Sequence, residues 1–148
     1  MIARRDDGYE IATDPDRLDT NQIHQWLSTD AYWALGRSRE SVEQSIRASV
    51  NYGLYHPDGH QVAYARIITD HATFAWLCDV YVSPAHRGSG LGTWLVTTIR
   101  DHLAPHHLPR ILLATLDAHH IYATAGFTPL PHPQQFMILN TPPHQPPT

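Results

Sequence analysis

The sequence predicts a single mixed α/β domain in which about four helices flank a central, mostly antiparallel sheet. Its 148 residues are about the length of one domain. Apolar residues recur first with a helical period and then with a period of two, so helices and strands alternate along the chain. In the middle of the chain, short strands follow one another across tight turns, which favours antiparallel neighbours.

The first third of the chain contains one predicted strand and two predicted helices. Residues 1–8 are polar and are expected to be flexible. Residues 9–13 alternate in polarity and end at an Asp-Pro-Asp turn signal, which indicates the first strand. One-sided apolar patterns predict a helix over about 19–28 and a second helix over 38–51. The aromatic segment 30–37 between them is predicted to be a loop.

The middle of the chain is predicted to supply three strands and a helix. Residues 53–56 and 61–69 form a predicted hairpin. Residues 73–82 are rich in β-branched and aromatic side chains, as in a long central strand. After a loop, leucine and isoleucine at helical spacing predict a helix over 91–103.

The last part of the chain contains two further predicted strands. Residues 111–116 are apolar throughout, which is typical of a strand covered on both faces. A short helix capped by Asp117 is predicted to follow and to stop at Gly126. Residues 135–140 are predicted to form the last strand, and the proline-rich residues 141–148 are expected to be disordered.

Composition narrows the classes of function. The formal net charge of −4 argues against a broadly cationic nucleic-acid surface. No apolar run approaches the roughly 20 residues of a membrane span, and the N-terminus carries no secretion signal, so a cytoplasmic location is expected. Cys78 is the only cysteine, which excludes an internal disulfide and fits a reducing compartment.

A glycine-rich loop lies between the long strand and the helix that follows it. Gly88, Gly90 and Gly92 free backbone N–H groups at the positive end of that helix, which predicts an anion cradle for a pyrophosphate. A Walker loop is excluded because the chain has no lysine. A dinucleotide fingerprint is excluded because Thr93 stands where the third glycine belongs. The glycines alone leave open a connector that binds no ligand.

Two motifs together resemble the signatures of the GCN5-related N-acetyltransferase (GNAT) family. Arg87-x-x-Gly90-x-Gly92 looks like the acetyl-CoA loop of that family. Tyr122-x-x-x-Gly126-Phe127 looks like its second signature. The order of predicted elements is also similar to the family fold, and the resemblance covers about residues 9–140, the expected acetyltransferase domain.

The resemblance implies a fold and an activity. In this family the strands that correspond to 73–82 and 111–116, the fourth and fifth predicted here, splay apart, and the pantetheine of acetyl-CoA lies between them. The implied activity is direct transfer of the acetyl group from the CoA thioester to a primary amine of a small molecule or peptide, with acetyl-CoA as co-substrate. The alternative is a catalytically silent domain of the same fold that binds or senses acyl-CoA.

The resemblance also implies which residues bind acetyl-CoA. Backbone groups of Val80, Tyr81 and Val82 would pair with the pantetheine like an added strand, and one of their amides would polarise the thioester carbonyl. The pyrophosphate would lie against Arg87, Gly88, Ser89, Gly90, Leu91, Gly92 and Thr93. Thr115 stands where many relatives carry an asparagine beside the cofactor.

Two residues are candidates for the chemistry. Tyr122 matches the general-acid position of the family, and a phenol stays protonated at neutral pH; the alternative is a tyrosine packed on the sheet. Strand alternation places Asp79 and Tyr81 on one face and Val80 and Val82 on the other. Three roles stay open for Asp79: accepting the amine proton, attracting the ammonium, or holding a backbone amide. Its neighbour Cys78 is expected to face the opposite side as an inert thiol.

The acceptor amine is expected beside the first two helices. Trp26, Tyr32, Trp33 and Arg37 cluster there; the aromatic rings suit an apolar wall or a cation–π contact, and Arg37 suits a carboxylate. Core packing of the tryptophans is the alternative. No metal site is expected, because the adjacent histidine pairs lack the i, i+4 spacing of a helical site. The expected partners are acetyl-CoA and the amine, without nucleic acid or membrane, and a homodimer is left open.

Overall fold

The computed structural model describes residues 1–142, which form one six-stranded sheet with its strands in sequence order. The strands are β1 (Ala3–Arg4), β2 (Glu10–Ala12), β3 (Val50–Tyr55), β4 (Gln61–Thr69), β5 (Ala75–Val82) and β6 (Ile111–Leu112). The helices are α1 (Thr20–Thr29), α2 (Arg39–Arg47), α3 (Leu91–Leu103) and α4 (His119–Thr124). Strands β1 to β5 pair antiparallel, and β6 pairs parallel with β5. The predicted mixed α/β architecture is confirmed.

Side-chain caps begin the first two helices, whereas α3 begins without one. Asp19 accepts a hydrogen bond from the backbone N–H of Gln22, and Ser38 accepts one from Ser41, each at 3.1 Å. Such caps satisfy N–H groups that the first turn of a helix leaves free. At Gly90, the residue before α3, no side chain plays this part, so the first-turn N–H groups stay free. None of the helices within residues 1–142 combines the length and the hydropathy that a membrane span requires.

Two apolar cores cover opposite faces of the sheet. The larger core packs α3 against the sheet, and the smaller core packs α1 and α2 against it. On β4, Ala63 and Ala65 belong to the larger core and Tyr64 between them belongs to the smaller one, as the alternation of a strand requires. Tyr81 of β5 joins Tyr64 in the smaller core. The sheet is therefore a middle layer between the two pairs of helices.

Strand β5 contains a β-bulge. Between the pairs Tyr64–Tyr81 and Arg66–Cys78, β5 has one residue more than β4, so one residue of β5 has no partner of its own. Asp79 lies at this place with a φ of +55°, in the left-handed region that few residues other than glycine adopt. The sequence pattern does not reveal the bulge, because β5 remains rich in strand-forming residues throughout.

The bulge changes which side chains share a face. Leu77 before the bulge and Val80 after it both pack with the α3 core, although they are three positions apart. Cys78 lies opposite Arg66, and Asp79 pairs with the same arginine, so these two neighbours share one face of the sheet. The expectation that Cys78 faces away from Asp79 is wrong, because the extra residue interrupts the alternation between them.

The N-terminal segment contributes a short strand to the sheet. Ala3 and Arg4 form β1, which pairs with Ile11 and Glu10 of β2. Arg5 then donates a hydrogen bond to the carbonyl oxygen of Ser89 at 3.1 Å. The predicted flexible segment, residues 1–8, therefore includes an edge strand at Ala3–Arg4, which side-chain polarity does not indicate because the pairing uses the backbone.

The C-terminal part contains less strand than predicted. Of the predicted strand 111–116, only Ile111–Leu112 pairs with a neighbour. Within the described part of the chain, residues 135–140 pair with no strand. Asp117 is not a cap: the hydroxyl of Thr115 accepts the hydrogen bond from the N–H of Ala118 at 3.1 Å. Most of the predicted disordered tail, residues 143–148, lies outside the described residues.

Candidate active site

Strands β5 and β6 diverge after a short stretch of parallel pairing. They pair only at Ala75–Ile111 and Trp76–Leu112, although β5 continues to Val82. On its β6 side, the rest of β5 has no strand partner among residues 1–142. A cavity of about 770 Å³ lies between the diverging strands, a size typical of small-ligand sites. The predicted splay of the sheet at this place is confirmed.

The glycine-rich loop and the start of α3 form one end of the cavity. Gly88 and Gly90 have φ values of +88° and +79°, which glycine adopts without the steric cost that other residues incur. A Cβ atom at Gly88 would meet nothing within 4 Å, so backbone conformation rather than packing requires glycine there. The uncapped N-terminus of α3 adds free N–H groups and the positive end of the helix dipole. This end of the cavity is therefore suited to an anion.

Two arginines hold the glycine-rich loop in place. Arg87 Nε donates a hydrogen bond to the carbonyl oxygen of Val82 at 2.9 Å, and its Nη2 lies 3.4 Å from a carboxylate oxygen of Asp30. Arg5 donates to Ser89 from the other side of the loop. Arg87 is among the predicted anion-binding residues, and Arg5 was not predicted. Arg87 lines the cavity and pairs with Asp30 at its exposed surface, whereas Arg5 pairs with Asp7 and supports the loop from outside the cavity.

Asp79 accepts hydrogen bonds from three side chains. Trp33 Nε1 donates to its Oδ1 at 2.8 Å. Arg37 Nη1 and Arg66 Nε donate to its Oδ2, each at 2.7 Å. Asp79 is 4% exposed, so the carboxylate is a buried centre that joins the segment 30–37 and strand β4 to the bulge in β5.

The environment of Asp79 keeps its carboxylate ionised. Burial by itself raises the pKa of Asp79, but the hydrogen bonds and charges of Arg66 and Arg37 outweigh it and hold the pKa below its ordinary value. A carboxylate of this kind has a low affinity for a proton. Of the three roles left open by the sequence, the contacts favour a structural one.

Tyr122 belongs to α4 and lines the cavity. Its ring packs edge-on against Phe127 at a centroid distance of 6.0 Å. Burial, with smaller contributions from Tyr32 and Asp117, raises the pKa of Tyr122 to about 12. Because of this raised pKa, the phenol is protonated at neutral pH. Within residues 1–142 the hydroxyl makes no hydrogen bond, so it is free to donate to a bound molecule.

The four candidates for acceptor binding separate into two groups. Trp26 does not line the cavity; it stacks on Tyr81 at 5.5 Å in the smaller core, so the packing alternative describes it. Tyr32 and Trp33 do line the cavity and meet edge-to-face at 5.0 Å. Arg37 lines the cavity as well, but its guanidinium pairs with Asp79. Of this group, the aromatic pair is therefore the part that lines the cavity without a paired charge.

Tyr32 also connects the two walls of the cavity. Its hydroxyl accepts a hydrogen bond from the backbone N–H of Leu116 at 2.8 Å. Leu116 follows β6, whereas Tyr32 lies between α1 and α2. Thr115, next to Leu116, lines the cavity as predicted, but its hydroxyl is engaged with Ala118.

Sequence reasoning missed several polar residues of the cavity. Arg66 is the most important of these residues, because it forms an ion pair with Asp79. It lies opposite Cys78 only because the bulge shifts the pairing register between β4 and β5. Burial raises the pKa of the Cys78 thiol to about 11, so that side chain stays protonated at neutral pH. The cavity-lining polar residues without a site role predicted above include Asp30, Arg66, Cys78, His86, Asp117 and His120.

The sequence profile of the Acetyltransferase (GNAT) family matches residues 20–127. The chain belongs to the GNAT family. The match runs from the first residue of α1 to Phe127 and includes every residue that lines the cavity of this GNAT protein. Both motifs that resemble the family signatures lie inside it.

Known proteins similar to this GNAT chain agree with the family match. FG08082 of Gibberella zeae, provisionally named as an acetyltransferase, is 32% identical over 133 residues, which cover 77% of this chain and 75% of FG08082. The crystal structure of xcc2953 from Xanthomonas campestris pv. campestris, provisionally assigned as a GNAT acetyltransferase, superposes with a TM-score of 0.85 and 42% identity, over 90% of this chain and 94% of that one. Rv2747 of Mycobacterium tuberculosis, solved with coenzyme A, shares the fold with a TM-score of 0.67 and 21% identity, over 82% and 72% of the two chains.

Proposed function

We propose that this GNAT protein is an acetyl-CoA-dependent N-acetyltransferase that transfers the acetyl group directly from the CoA thioester to a primary amine of a small molecule or a peptide. The observation that carries the proposal is the continuity of one cavity. The start of α3 with its free N–H groups, the unpaired edge of β5 and Tyr122 all line this cavity. The coenzyme A complex of Rv2747, which has the same fold, supports this choice of ligand.

The residues of the cavity fit acetyl-CoA. An uncapped helix N-terminus preceded by positive-φ glycines, with two arginines beside it, suits a pyrophosphate, and residues 87–93 would hold it. The unpaired edge of β5 at Val80, Tyr81 and Val82 would pair with the pantetheine amides as with an added strand. Thr115 would contact the same arm from the opposite wall. When bound, acetyl-CoA supplies the acetyl thioester, and the residues of this chain orient it and move protons.

Tyr122 is the proposed general acid. Because its pKa lies at about 12, the phenol holds its proton at neutral pH. Transfer of the acetyl group to an amine expels a thiolate, and Tyr122 Oη would give its proton to that sulfur. A backbone N–H in residues 80–82 would donate to the thioester oxygen, where negative charge develops.

For Asp79 we assign a positioning role rather than that of the general base. It fixes Trp33 and Arg37 against the bulge in β5, and its pKa lies below the ordinary value. An alkyl ammonium has a pKa near 10, so a carboxylate of low pKa takes its proton inefficiently. The proton of the amine is left to solvent in the cavity.

Tyr32 and Trp33 form the proposed wall for the acceptor. Both rings are partly exposed, line the cavity and lie beside the segment that Asp79 anchors. Aromatic faces attract cations, so this wall suits an amine that arrives as an ammonium. Arg37 is expected to support Asp79 and not to bind a carboxylate of the acceptor, because its charge is already paired.

A panel of primary amines tests the proposal. The full chain is incubated with acetyl-CoA and each amine, free thiol is measured, and the product is identified by mass spectrometry. The expected result is thiol release that depends on one class of amine, with an acetylated product in equal amount. Binding of acetyl-CoA in calorimetry without release for any amine would support the silent acyl-CoA-binding domain, and absence of binding would overturn both readings.

A further inference from the structure

The tight turn between β3 and β4 brings two histidines and an aspartate together. The backbone N–H of His56 donates to the carbonyl oxygen of His60 at 2.9 Å, so these two residues face each other across the turn. Asp58 lies between them in the chain. One ring nitrogen of each histidine and one carboxylate oxygen of Asp58 all lie within 4.8 Å of one another. Within residues 1–142, no other three histidine, cysteine, aspartate or glutamate side chains meet this closely.

The distances within this group fit a tetrahedral metal ion. Nδ1 of His56 lies 3.2 Å from Oδ1 of Asp58, and Nδ1 of His60 contacts the same oxygen. Ligand atoms bound to zinc at about 2.1 Å lie about 3.3 Å from one another. The centroids of the two imidazole rings are 4.9 Å apart, and two imidazoles on one tetrahedral zinc ion are separated by about 5 Å. A metal ion therefore fits without a change in the turn.

The charges and lone pairs of the group suit a cation. Among residues 1–142, Asp58 forms ion pairs with the two histidines and with no arginine, so no fixed positive charge neutralises its carboxylate. The backbone N–H of Asp58 donates to Nδ1 of His56 at 3.1 Å, which requires a lone pair on that nitrogen. A metal ion would take this lone pair and would displace the proton between His60 and Asp58, as metals do when they bind imidazole. The N–H that is given up belongs to an exposed residue, so water can replace its contact.

A third histidine, from the other side of the β4 strand, lies against this group. His86 ends the short helical turn Pro84–His86 after β5, and its ring centroid is 5.5 Å from that of His60 and 5.9 Å from that of His56. Its Nδ1 is buried and has no hydrogen-bond partner within the described part of the chain. Buried polar atoms are nearly always paired, and one without a protein partner calls for a bound water or ion. His86 thus offers a fourth donor beside the other three.

A different pair of histidines shows what ring packing alone looks like. The centroids of His71 and His106 are 5.2 Å apart, within the ordinary range for packed rings. In the described residues, no carboxylate or third ring joins that pair to make a group of three ligands. No metal site was expected from the adjacent histidine pairs of the sequence. His56 and His60 are instead four positions apart, and a turn rather than a helix brings them together.

We propose that His56, Asp58 and His60 bind one zinc ion and that His86 completes its coordination as the fourth ligand. Imidazole nitrogens with one carboxylate suit zinc, whereas magnesium and calcium prefer oxygen ligands throughout. His86 lies just outside the group of three and would move towards the ion on binding. The ion would then tie the β3–β4 turn to the segment that leads into the glycine-rich loop. The site is independent of acetyl transfer, because it rests on the turn and His86 alone.

Zinc titration of the full chain, without an affinity tag, tests the site. Zinc is added in competition with a chromophoric chelator to protein that has been freed of metal. We expect one zinc ion per chain and no comparable binding of Mg²⁺. His60→Gln and Asp58→Asn are each expected to weaken zinc binding at least tenfold, because even an outer-shell partner of a metal typically contributes 10- to 100-fold. Asparagine can still accept the hydrogen bond that the N–H of His60 gives to Asp58 Oδ1 at 3.0 Å, so the turn is retained.

The outcomes of this titration separate a built site from scattered surface histidines. His106→Gln removes a histidine of the packed pair and is the matched control; its zinc affinity is expected to equal that of wild type. Absence of stoichiometric binding to wild type would overturn the proposal, and so would unchanged affinity in His60→Gln or Asp58→Asn. An equal loss in His106→Gln and His60→Gln would also overturn it. Circular dichroism of each variant without zinc verifies the fold.

Imidazole ¹⁵N chemical shifts identify the ligands directly. In long-range ¹H–¹⁵N spectra of the labelled chain, one equivalent of zinc is expected to shift ring nitrogens of His56, His60 and His86. The ring nitrogens of His71 and His106 are expected to keep their positions. Shifts that leave out His56 or His60 would overturn the site, and shifts of these two without His86 would overturn its assignment as the fourth ligand.

Discussion

Asp79 binds three donors with one carboxylate, and this arrangement determines the effect of replacing it. Asp79→Asn keeps the shape but leaves Arg37 and Arg66 without a counter-charge, and Arg66 is largely buried. We expect a loss of about 3 kcal/mol in the free energy of unfolding, the typical cost of breaking a buried ion pair from one side. Denaturant titration measures it. Asp101→Asn is the control, because Asp101 pairs with Arg100 at the exposed surface and is expected to change stability by less than about 0.5 kcal/mol.

The pH dependence of stability in wild type and Asp79→Asn distinguishes a structural role of Asp79 from a catalytic one. The folded pKa of Asp79 is below the ordinary 3.8, so the group stabilises the fold above that pH, and the contribution is lost as the pH falls through the folded pKa. The difference in stability between wild type and Asp79→Asn is therefore expected to shrink below about pH 4. A stable Asp79→Asn variant that loses the ascending limb of kcat/KM would instead identify Asp79 as the base.

The hydroxyl of Tyr122 donates no hydrogen bond within the described structure, so its removal breaks no contact of the fold. Tyr122→Phe removes only the hydroxyl, so folding and acetyl-CoA affinity are expected to stay close to wild type. Turnover is expected to fall by about 10²- to 10⁴-fold, the usual worth of a positioned acid. Because the pKa of Tyr122 is raised to about 12, its ionisation is expected to cause no decline of the wild-type rate between pH 7 and 10. Pre-steady-state kinetics checks that chemistry limits the rate; unchanged chemistry in Tyr122→Phe would return the residue to a packing role.

At the scale of elements, the junction between the glycine-rich loop and α3 is the most specific feature of the site. Gly90→Glu puts an anion where a pyrophosphate would lie and forces a side chain into a φ of +79°. In wild type, acetyl-CoA at one hundred times Kd is expected to stabilise the fold by about 2.7 kcal/mol, and Gly90→Glu is expected to abolish this gain. Thermal denaturation with and without acetyl-CoA measures both.

Gly59→Glu is the matched control for that experiment. Gly59 also has a positive φ, of +100°, and open space around its Cβ position, but it lies in the β3–β4 turn and away from the cavity. Both variants therefore carry the same charge and a similar backbone cost. If both variants lose the stabilisation by acetyl-CoA, backbone strain at a positive φ, and not the position of Gly90, is responsible. If both variants keep it, the assignment of the pyrophosphate site to the start of α3 is wrong.

The elements that the sequence predicts well are those with local signals. Asp19 and Ser38 cap helices that their neighbours already indicate, and the hairpin of β3 and β4 follows from alternation and a turn. The site has no such signals. Asp79 is bound by side chains 46, 42 and 13 positions away in the chain, and its bulge depends on pairing with β4. Those contacts arise only when the tertiary fold brings distant residues together.

The bulge in β5 has a consequence for insertions and deletions. Removing Asp79 would restore one-to-one pairing between β4 and β5, and Val80 and Tyr81 would keep the cores that they occupy now. Removing Leu77 would instead shift Trp76 by one position and bring its side chain from the other face into the larger core. Asp79 is thus equivalent to a one-residue insertion that both cores accommodate without repacking. A strand shorter by this one residue would build the same sheet and lack the carboxylate that anchors Trp33 and Arg37.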